Sequence, residues 1–504
     1  MADPNAVLVT SRRRVLALLI GMGLCGFVLV AQAVKLQVID TEFLQGEGEA
    51  RFLRQVEIPT MRGSIVDRNG EPLAVSTPVE SVWAHPGELL QEASDRIPML
   101  ASLLGQDAEA IERRLTQRAD RQFVWIIRRI PPHLADRVRE LDIPGVFLQR
   151  EYRRFYPTAE ISSQVVGFTN IDEVGQEGLE LAYDNWLTGQ TGAKRVIQDR
   201  LGRIVEDVEL IREALPGREL RLTIDRRLQD LAYRELMATI ARHQARSGSV
   251  VVLDIPTGEV LAMVNYPSYN PNGRSRSSDG MRNRALTDVL EPGSIVKPFV
   301  VAAAMEAGIA HPEMLVDTSP GTMQVSGHTI RDIRNFGEMS VTGLLTKSSN
   351  VGIVQLAMAM DASHLWSMYS RLGFGDVTGT GFPGESAGVL RDHERWRKLE
   401  QATLSYGYGL SVTPLQLARA IAAIADQGRL RQPSFILDSD NPPQAIIDPL
   451  LAEQVSQMLE TVTQTGGTAT RAAVDGYRVA AKTGTSRKSS AGGYSNKYVA
   501  SIAG

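Results

Sequence analysis

Ser294 and Lys297 stand three residues apart in Glu291-Pro292-Gly293-Ser294-Ile295-Val296-Lys297-Pro298-Phe299. A serine hydroxyl is a poor nucleophile until a neighbouring base takes its proton. On a helix, residues i and i+3 share a face about one turn apart, so the Lys297 amine can reach the Ser294 hydroxyl. A lysine serves as that base when burial, and the positive end of the helix dipole, lower its pKa toward neutrality. Pro292 and Gly293 break whatever precedes them, and Val296 to Ala304 is apolar almost all round, which predicts a helix buried on every side. An S-x-x-K on a solvated helix is a chance pattern. Here the helix is apolar, so a buried Lys297 needs a reason. Two further motifs follow in order, Ser348-Ser349-Asn350 and Lys482-Thr483-Gly484-Thr485.

The elements that must position these residues are partly legible. Leu222-Thr223-Ile224-Asp225 ends one strand, and Arg226 to His243 reads as an amphipathic helix with Asp225 as N-cap. Ser249–Asp254 and Glu259–Val264 flank Pro256-Thr257-Gly258 as a hairpin of two apolar strands. Asn272 to Gly280 is a polar loop ahead of the Ser294 helix. Thr413 and Pro414 mark a helix start after Tyr406-Gly407-Tyr408-Gly409, a segment read first as loop packing and second as a substrate wall. A late strand is expected over Val479–Thr485. Helices alternating with these strands suit a mixed α/β domain with an antiparallel sheet.

At 504 residues the chain exceeds one ordinary core, which predicts at least two domains. The net charge of −4 gives no support to nucleic-acid binding. The single cysteine, Cys25, excludes an intrachain disulfide and a cysteine-based zinc site. The 7 histidines are scattered without a ligand pair, so no metal and no other cofactor is expected. Arg12-Arg13-Arg14 precede Val15 to Val34, an uncharged, mostly apolar run that spans roughly 30 Å as a helix, the thickness of a bilayer core. The arginines should stay cytoplasmic, which sends everything after Lys35 across the membrane. A cleaved signal peptide is the competing reading, because Ala31-Gln32-Ala33 mimics a cleavage site. Ala17, Gly21 and Cys25 form a small-residue stripe, a helix-packing face or simply membrane-helix composition. Thr41 to Arg54 is read as a helix leading out of the membrane, and Pro86 to Asp142 as helical. Ile65-Val66 followed by Asn69-Gly70 reads as a strand entering a hairpin turn.

Together the three motifs form the set S-x-x-K, S-x-N, K-T-G, recognised as the signature of penicillin-binding proteins and class A β-lactamases rather than derived from spacing. The chain resembles the class B penicillin-binding proteins over nearly its full length, most closely the FtsI type (penicillin-binding protein 3). Arg62-Gly63-Ser64-Ile65-Val66-Asp67-Arg68-Asn69-Gly70 matches the first block of that family. Arg153-Arg154-Phe155-Tyr156-Pro157, Gly167-Phe168-Thr169, Gly175-Gln176-Glu177-Gly178-Leu179-Glu180, Gly192–Val196, Asp199-Arg200 and Gly202-Arg203 are similar to the division subtype more than to the elongation subtype. Their clustered charges are read as salt bridges within a pedestal.

The resemblance implies a mixed α/β fold in four parts. These are a cytoplasmic tail (1–14), a transmembrane signal anchor (15–34), an elongated non-catalytic α+β pedestal (35–220), and a transpeptidase domain (221–504) whose antiparallel sheet carries helices on both faces. It implies a peptidoglycan D,D-transpeptidase of the division septum, single-pass in the bacterial inner membrane with its catalytic domain periplasmic. In that reading Ser294 attacks a D-Ala-D-Ala stem peptide and Lys297 accepts its proton. Ser348 relays a proton to the leaving D-alanine, and Asn350 holds the substrate amide and the Lys297 side chain. The N–H groups of Ser294 and Thr485 form the oxyanion hole. Lys482, Thr483, Gly484 and Thr485 bind the substrate, with Lys482 and Thr485 directed at its carboxylate. β-Lactams would acylate Ser294, and an FtsW-type glycosyltransferase and other division proteins are the implied partners. Two other readings stay open: a D,D-carboxypeptidase or β-lactamase-like hydrolase, and a β-lactam sensor or division scaffold without turnover.

Two departures from the family pattern stand out. Ile295 replaces the usual threonine and points away from the serine–lysine pair at helical spacing. Tyr498 to Gly504 reads as the strand after that of Lys482, and relatives continue with another strand and a C-terminal helix. The chain as written is therefore expected to be a fragment that folds poorly alone.

Overall fold

The computed structural model describes residues 4–39, 53–198, 204–273, 277–490 and 493–504. The chain divides into two compact units, each assembled from separated stretches. One takes Met1–Thr60, Pro78–Tyr152 and Gln190–Leu215; the other takes Met61–Thr77, Arg153–Gly189 and Pro216–Gly504.

The first unit opens with a helix over Pro4–Val34 that continues into a π-helical turn, Lys35–Ile39. Val15–Gln37 has a mean hydropathy of 2.3, and none of it is covered by the protein. Leu18 and Phe27, 66% and 73% exposed, have no core to enter. At 1.5 Å per residue the stretch reaches about 34 Å, long and apolar enough to cross a membrane. Further along, Leu53–Ile58, Gly192–Gln198 and Ile204–Arg212 form a three-stranded antiparallel sheet. Four helices, Pro86–Glu92, Ile97–Leu104, Ala108–Thr116 and Pro132–Glu140, share a core with Val82 and with strand Val124–Ile130 through Leu89, Ile97, Leu100, Ile111 and Ile126. Each link follows local chemistry. Gly105, at φ +62°, closes one helix in the left-handed region that glycine enters freely, and the Asp107 carboxylate caps the next from Glu109 N–H at 3.2 Å.

In the second unit, Ile65–Val66 pairs antiparallel with the start of strand Pro72–Ala84 and parallel with Leu220–Arg221. Asp67 shapes the turn between the first two, its carboxylate accepting from the N–H groups of Asn69 and Glu71 at 2.8 Å each. Ile65, Leu73, Tyr156, Val165 and Leu179 then share one core with Leu222, Met263, Leu415 and Phe435. Beside it lies a buried ion cluster. Glu180 uses one carboxylate oxygen for Arg62 Nε and the other for Arg154 Nε, both at 2.7 Å, and Arg62 also reaches Asp184 at 2.7 Å.

Helix Arg226–His243, capped by Asp225 at 2.9 Å from Arg227 N–H, packs Leu236 and Ile240 against Val264 of the antiparallel hairpin Gly248–Leu253/Val260–Tyr266. Helices Arg284–Thr287 and Pro414–Ala425 also contact that hairpin. The largest core surrounds helix Lys297–Glu306, whose residues from Lys297 to Met305 are all buried. Helices Val341–Lys347, Asn350–Ala359, Ala362–Arg371, Pro414–Ala425 and Pro449–Thr463 contribute to it. A second antiparallel hairpin joins Lys482–Ser490 to Gly493–Ala503, with Lys482 opposite Ala503 and Thr485 opposite Ala500. The two hairpins form separate ladders instead of one sheet.

Several sequence expectations need correction. Leu53 and Arg54 begin a strand because Ile197 and Val196 offer a ladder partner far along the chain, and the rest of the expected helix, Thr41–Phe52, lies outside the described residues. Within the stretch read as helical, Val-Trp-Ile-Ile-Arg-Arg-Ile at 124–130 is a strand, since its β-branched and aromatic residues pack as a pleated surface. The late strand begins at Lys482, not Val479. Helix Pro449–Thr463 takes the preceding backbone: Thr463 Oγ1 donates to Val479 O at 2.7 Å, and Ala481 N–H donates to Leu459 O at 3.3 Å. In the loop 272–280, Ser277 caps a short helix, Ser278–Met281, and residues 274–276 lie outside the described set, as do Asp199-Arg200 and Gly202-Arg203.

Candidate active site

Ser294 sits in a single 3₁₀ turn, Gly293–Val296, and the α-helix starts at Lys297, not Val296. Gly293 adopts φ +57°, which aims the turn into a cleft. Two other backbones press on it. Gly407, at φ +88°, lies so close that a Cβ there would stand 2.0 Å from Gly293 O. A Cβ on Gly484 would stand 2.8 Å from Ile295 Cγ1 and 2.9 Å from Pro292 O. Ile295 is therefore packed against the Lys482–Ser490 strand, 1% exposed.

Lys297 is fully buried. Its Nζ donates to Ser348 O at 2.6 Å and to Asn350 Oδ1 at 2.8 Å, and lies 3.2 Å from Ser348 Oγ. Ser348 ends helix Val341–Lys347 in the left-handed region, at φ +59° and ψ +42°, and Ser349 caps the helix that follows. A non-glycine residue in that region costs about 1–3 kcal/mol, and the turn directs both Ser348 oxygens at Lys297. Lys482 comes to the same hydroxyl from the opposite strand, Nζ to Ser348 Oγ at 3.0 Å, with a second contact to Thr483 O at 3.0 Å. Ser348 Oγ thus bridges two buried lysines.

Burial holds the Lys297 amine well below the ordinary lysine range; the Lys482 charge adds to the depression and Asp332 opposes it. Burial likewise pushes Lys482 down, to about 8. A neutral Lys297 has two N–H bonds, and the contacts at 2.6 and 2.8 Å use both, leaving its lone pair to accept a hydroxyl proton.

The cleft, about 490 Å³, is lined by Ser294, Asn350 and Thr485 together with Thr329, Ile330, Arg331, Tyr406, Tyr408 and Arg487. Of the expected residues, Ser294, Asn350 and Thr485 line it, and Lys297, Ser348 and Lys482 are joined to Asn350 by the hydrogen bonds above. Gly484 serves as the flat contact beneath the turn, and the Thr483 hydroxyl turns to Thr468 Oγ1 at 2.9 Å. Tyr406 and Tyr408 line the cleft while Gly407 between them packs against Gly293. Arg331, Arg487 and Asp332 went unnoticed in the sequence. The only local signal was polar residues, Thr329, Arg331 and Asp332, around a buried Ile330.

Residues 248–504 match the penicillin binding protein transpeptidase domain, and residues 57–222 match the penicillin-binding protein dimerisation domain. The chain belongs to the penicillin-binding protein transpeptidases. It is 43% identical over 494 residues to the peptidoglycan D,D-transpeptidase FtsI of Escherichia coli K12, covering 95% of this chain and 84% of that one. Among solved structures, the TP domain of Burkholderia pseudomallei penicillin-binding protein 3 is 42% identical with a TM-score of 0.52, covering 56% of this chain and 82% of that one. A peptidoglycan synthetase from Bifidobacterium adolescentis aligns over 89% of this chain and 88% of its own, at 25% identity and a TM-score of 0.67.

Proposed function

We propose that the protein is a membrane-anchored peptidoglycan D,D-transpeptidase that cross-links stem peptides at the division septum through an acyl-enzyme on Ser294. The observation that carries this reading is the placement of Ser348 Oγ between Lys297 Nζ and Lys482 Nζ, with Lys297 depressed by burial and Ser294 one turn away.

Ser294 Oγ attacks the carbonyl of the penultimate D-alanine and its proton passes to the Lys297 amine. The developing oxyanion is held by the N–H groups of Ser294 and Thr485. The C–N bond breaks as the leaving D-alanine amine takes the proton from Lys297 by way of Ser348 Oγ. Asn350 holds the substrate amide and Lys297. Lys482, whose ammonium lies beneath the cleft floor, contributes positive potential toward the substrate carboxylate, and Thr485 hydrogen-bonds it. Thr483 and Gly484 complete the binding strand. An amine from a second stem peptide then attacks the acyl carbonyl, forming the cross-link and freeing Ser294. A β-lactam forms the same ester but keeps its leaving group tethered, so the adduct persists.

Residues 35–220 serve as the pedestal and 221–504 as the catalytic domain, with Met61–Thr77 and Arg153–Gly189 of the pedestal folded into the same compact unit as the catalytic residues; residues 1–14 are cytoplasmic and the catalytic domain is periplasmic. The N-terminal apolar helix anchors the chain in the inner membrane, where an FtsW-type glycosyltransferase supplies glycan strands. A fluorescent penicillin should label the chain at Ser294, as located by mass spectrometry, and Ser294→Ala should abolish labelling. A label elsewhere, or one surviving the substitution, would overturn the assignment.

A further inference from the structure

Asp332 follows strand His328–Arg331 and faces the start of helix Asn350–Ala359. Its Oδ1 accepts from the backbone N–H of Asn350, in a short contact, and of Val351 at 3.1 Å. Its Oδ2 accepts the Ser349 hydroxyl at 2.6 Å, and Ser349 Oγ in turn accepts from Gly352 N–H at 3.0 Å. Ser349 is fully buried. The residue before the aspartate completes the clamp: Arg331 O accepts Asn350 Nδ2 at 2.9 Å, which leaves Asn350 Oδ1 turned toward Lys297.

We propose that Asp332 is a positioning residue for acylation, its carboxylate locking the Ser348–Asn350 junction so that Ser348 O and Asn350 Oδ1 hold Lys297, while its charge faces Lys297. The proposal rests on the acyl-enzyme reading of Ser294. A carboxylate is favoured at a helix N-terminus and accepts three donors there, as no neutral side chain of its size does. The left-handed backbone at Ser348 stays in place only if the residues that follow are held. Loss of the lock would let the oxygens around Lys297 drift, and misplacement by about 1 Å costs up to roughly 100-fold in rate.

The charged groups facing Lys297 are Lys482, from the Lys482–Ser490 strand, and Asp332; Ser348 and Asn350 supply neutral atoms. Asp332 raises the Lys297 pKa and Lys482 lowers it, so removing the Asp332 charge lowers it further. The acid limb of the acylation rate, where Lys297 gains its proton, should then move to lower pH.

The test is the pH profile of fluorescent-penicillin acylation in the full chain, wild type against Asp332→Asn and Ser349→Ala. We expect Asp332→Asn to slow the limiting acylation step by roughly 10- to 100-fold, leave the initial penicillin complex unchanged, and shift the acid limb down. Ser349→Ala keeps the charge, so it should slow acylation with the limb unmoved. An Asp332→Asn chain with wild-type rate, or one slowed with an unmoved limb, overturns the proposal. Should circular dichroism show that variant unfolded, Ser349→Ala decides: slowed acylation supports the proposal and a wild-type rate overturns it. A wild-type chain unlabelled at Ser294 would instead bring down the acyl-enzyme reading itself.

Discussion

At the scale of single residues, the active site holds two buried lysines around one hydroxyl, an arrangement that costs stability. Lys482 titrates near 8 in the folded chain and near 10.4 when unfolded. Below about 8 both states hold the proton, and the folded state carries the full cost of burying it. As pH rises from about 8 toward 10.4, the folded chain sheds its proton first and the cost is relieved, so stability rises with pH in that window. A Lys482→Met chain lacks this dependence. Its stability relative to wild type should be greatest at neutral pH and fall by up to about 3 kcal/mol by pH 10 or so, measured by urea unfolding across the range. A pH-independent difference would contradict the assignment. Ser294 and Lys297 were legible in the sequence because their spacing is local. Asp332 was not, because its relation to Asn350 exists only once a strand end and a helix start are folded against each other.

Among the elements, the turn of Ser294 is held by backbone surfaces that tolerate no side chain. Gly407→Ala would place a Cβ 2.0 Å from Gly293 O at φ +88°, which should cost about 1–3 kcal/mol and slow acylation as Tyr406 and Tyr408 shift. Gly409→Ala is the control, equally strained at φ +91° but with nothing nearer than 3.7 Å to its Cβ. Thermal midpoints and penicillin acylation rates for both chains test this; equal effects would deny the contact its role. Elements with complete local signals, such as the Asp225-capped helix and the Thr413-Pro414 start with its Gln416 capping box, follow the sequence closely. Strand Leu53–Ile58 and the true start of the Lys482 strand do not. Each was settled by a distant partner: the ladder at Gly192–Gln198 in one case, and Leu459 O and Thr463 Oγ1 in the other.

At the scale of the whole molecule, the compact unit that holds the active site is not one continuous stretch. Met61–Thr77 and Arg153–Gly189 belong to it, and the Arg62–Glu180–Arg154 cluster ties those two segments together in its interior. Of the clustered charges read from the sequence as salt bridges, Arg154 and Glu180 form a buried pair, Arg195 pairs with Glu209 in the open, and Asp199, Arg200 and Arg203 lie outside the described residues. Glu180→Gln leaves the buried Arg154 guanidinium without its counter-charge and Arg62 with Asp184 alone. It should destabilise the chain by about 3–5 kcal/mol in thermal unfolding, while Ser294 still labels below the new midpoint. A change under about 1 kcal/mol would mean that the cluster is relaxed at little cost.

The same discontinuity has a consequence for biosynthesis. Ile65 and Leu73 emerge from the ribosome far ahead of Leu415 and Phe435, with which they share a core. At ordinary elongation rates the gap is on the order of tens of seconds. Throughout that interval the early apolar residues have no late partners to cover them, so a holding chaperone would find its client in the nascent N-terminal third rather than in the catalytic motifs.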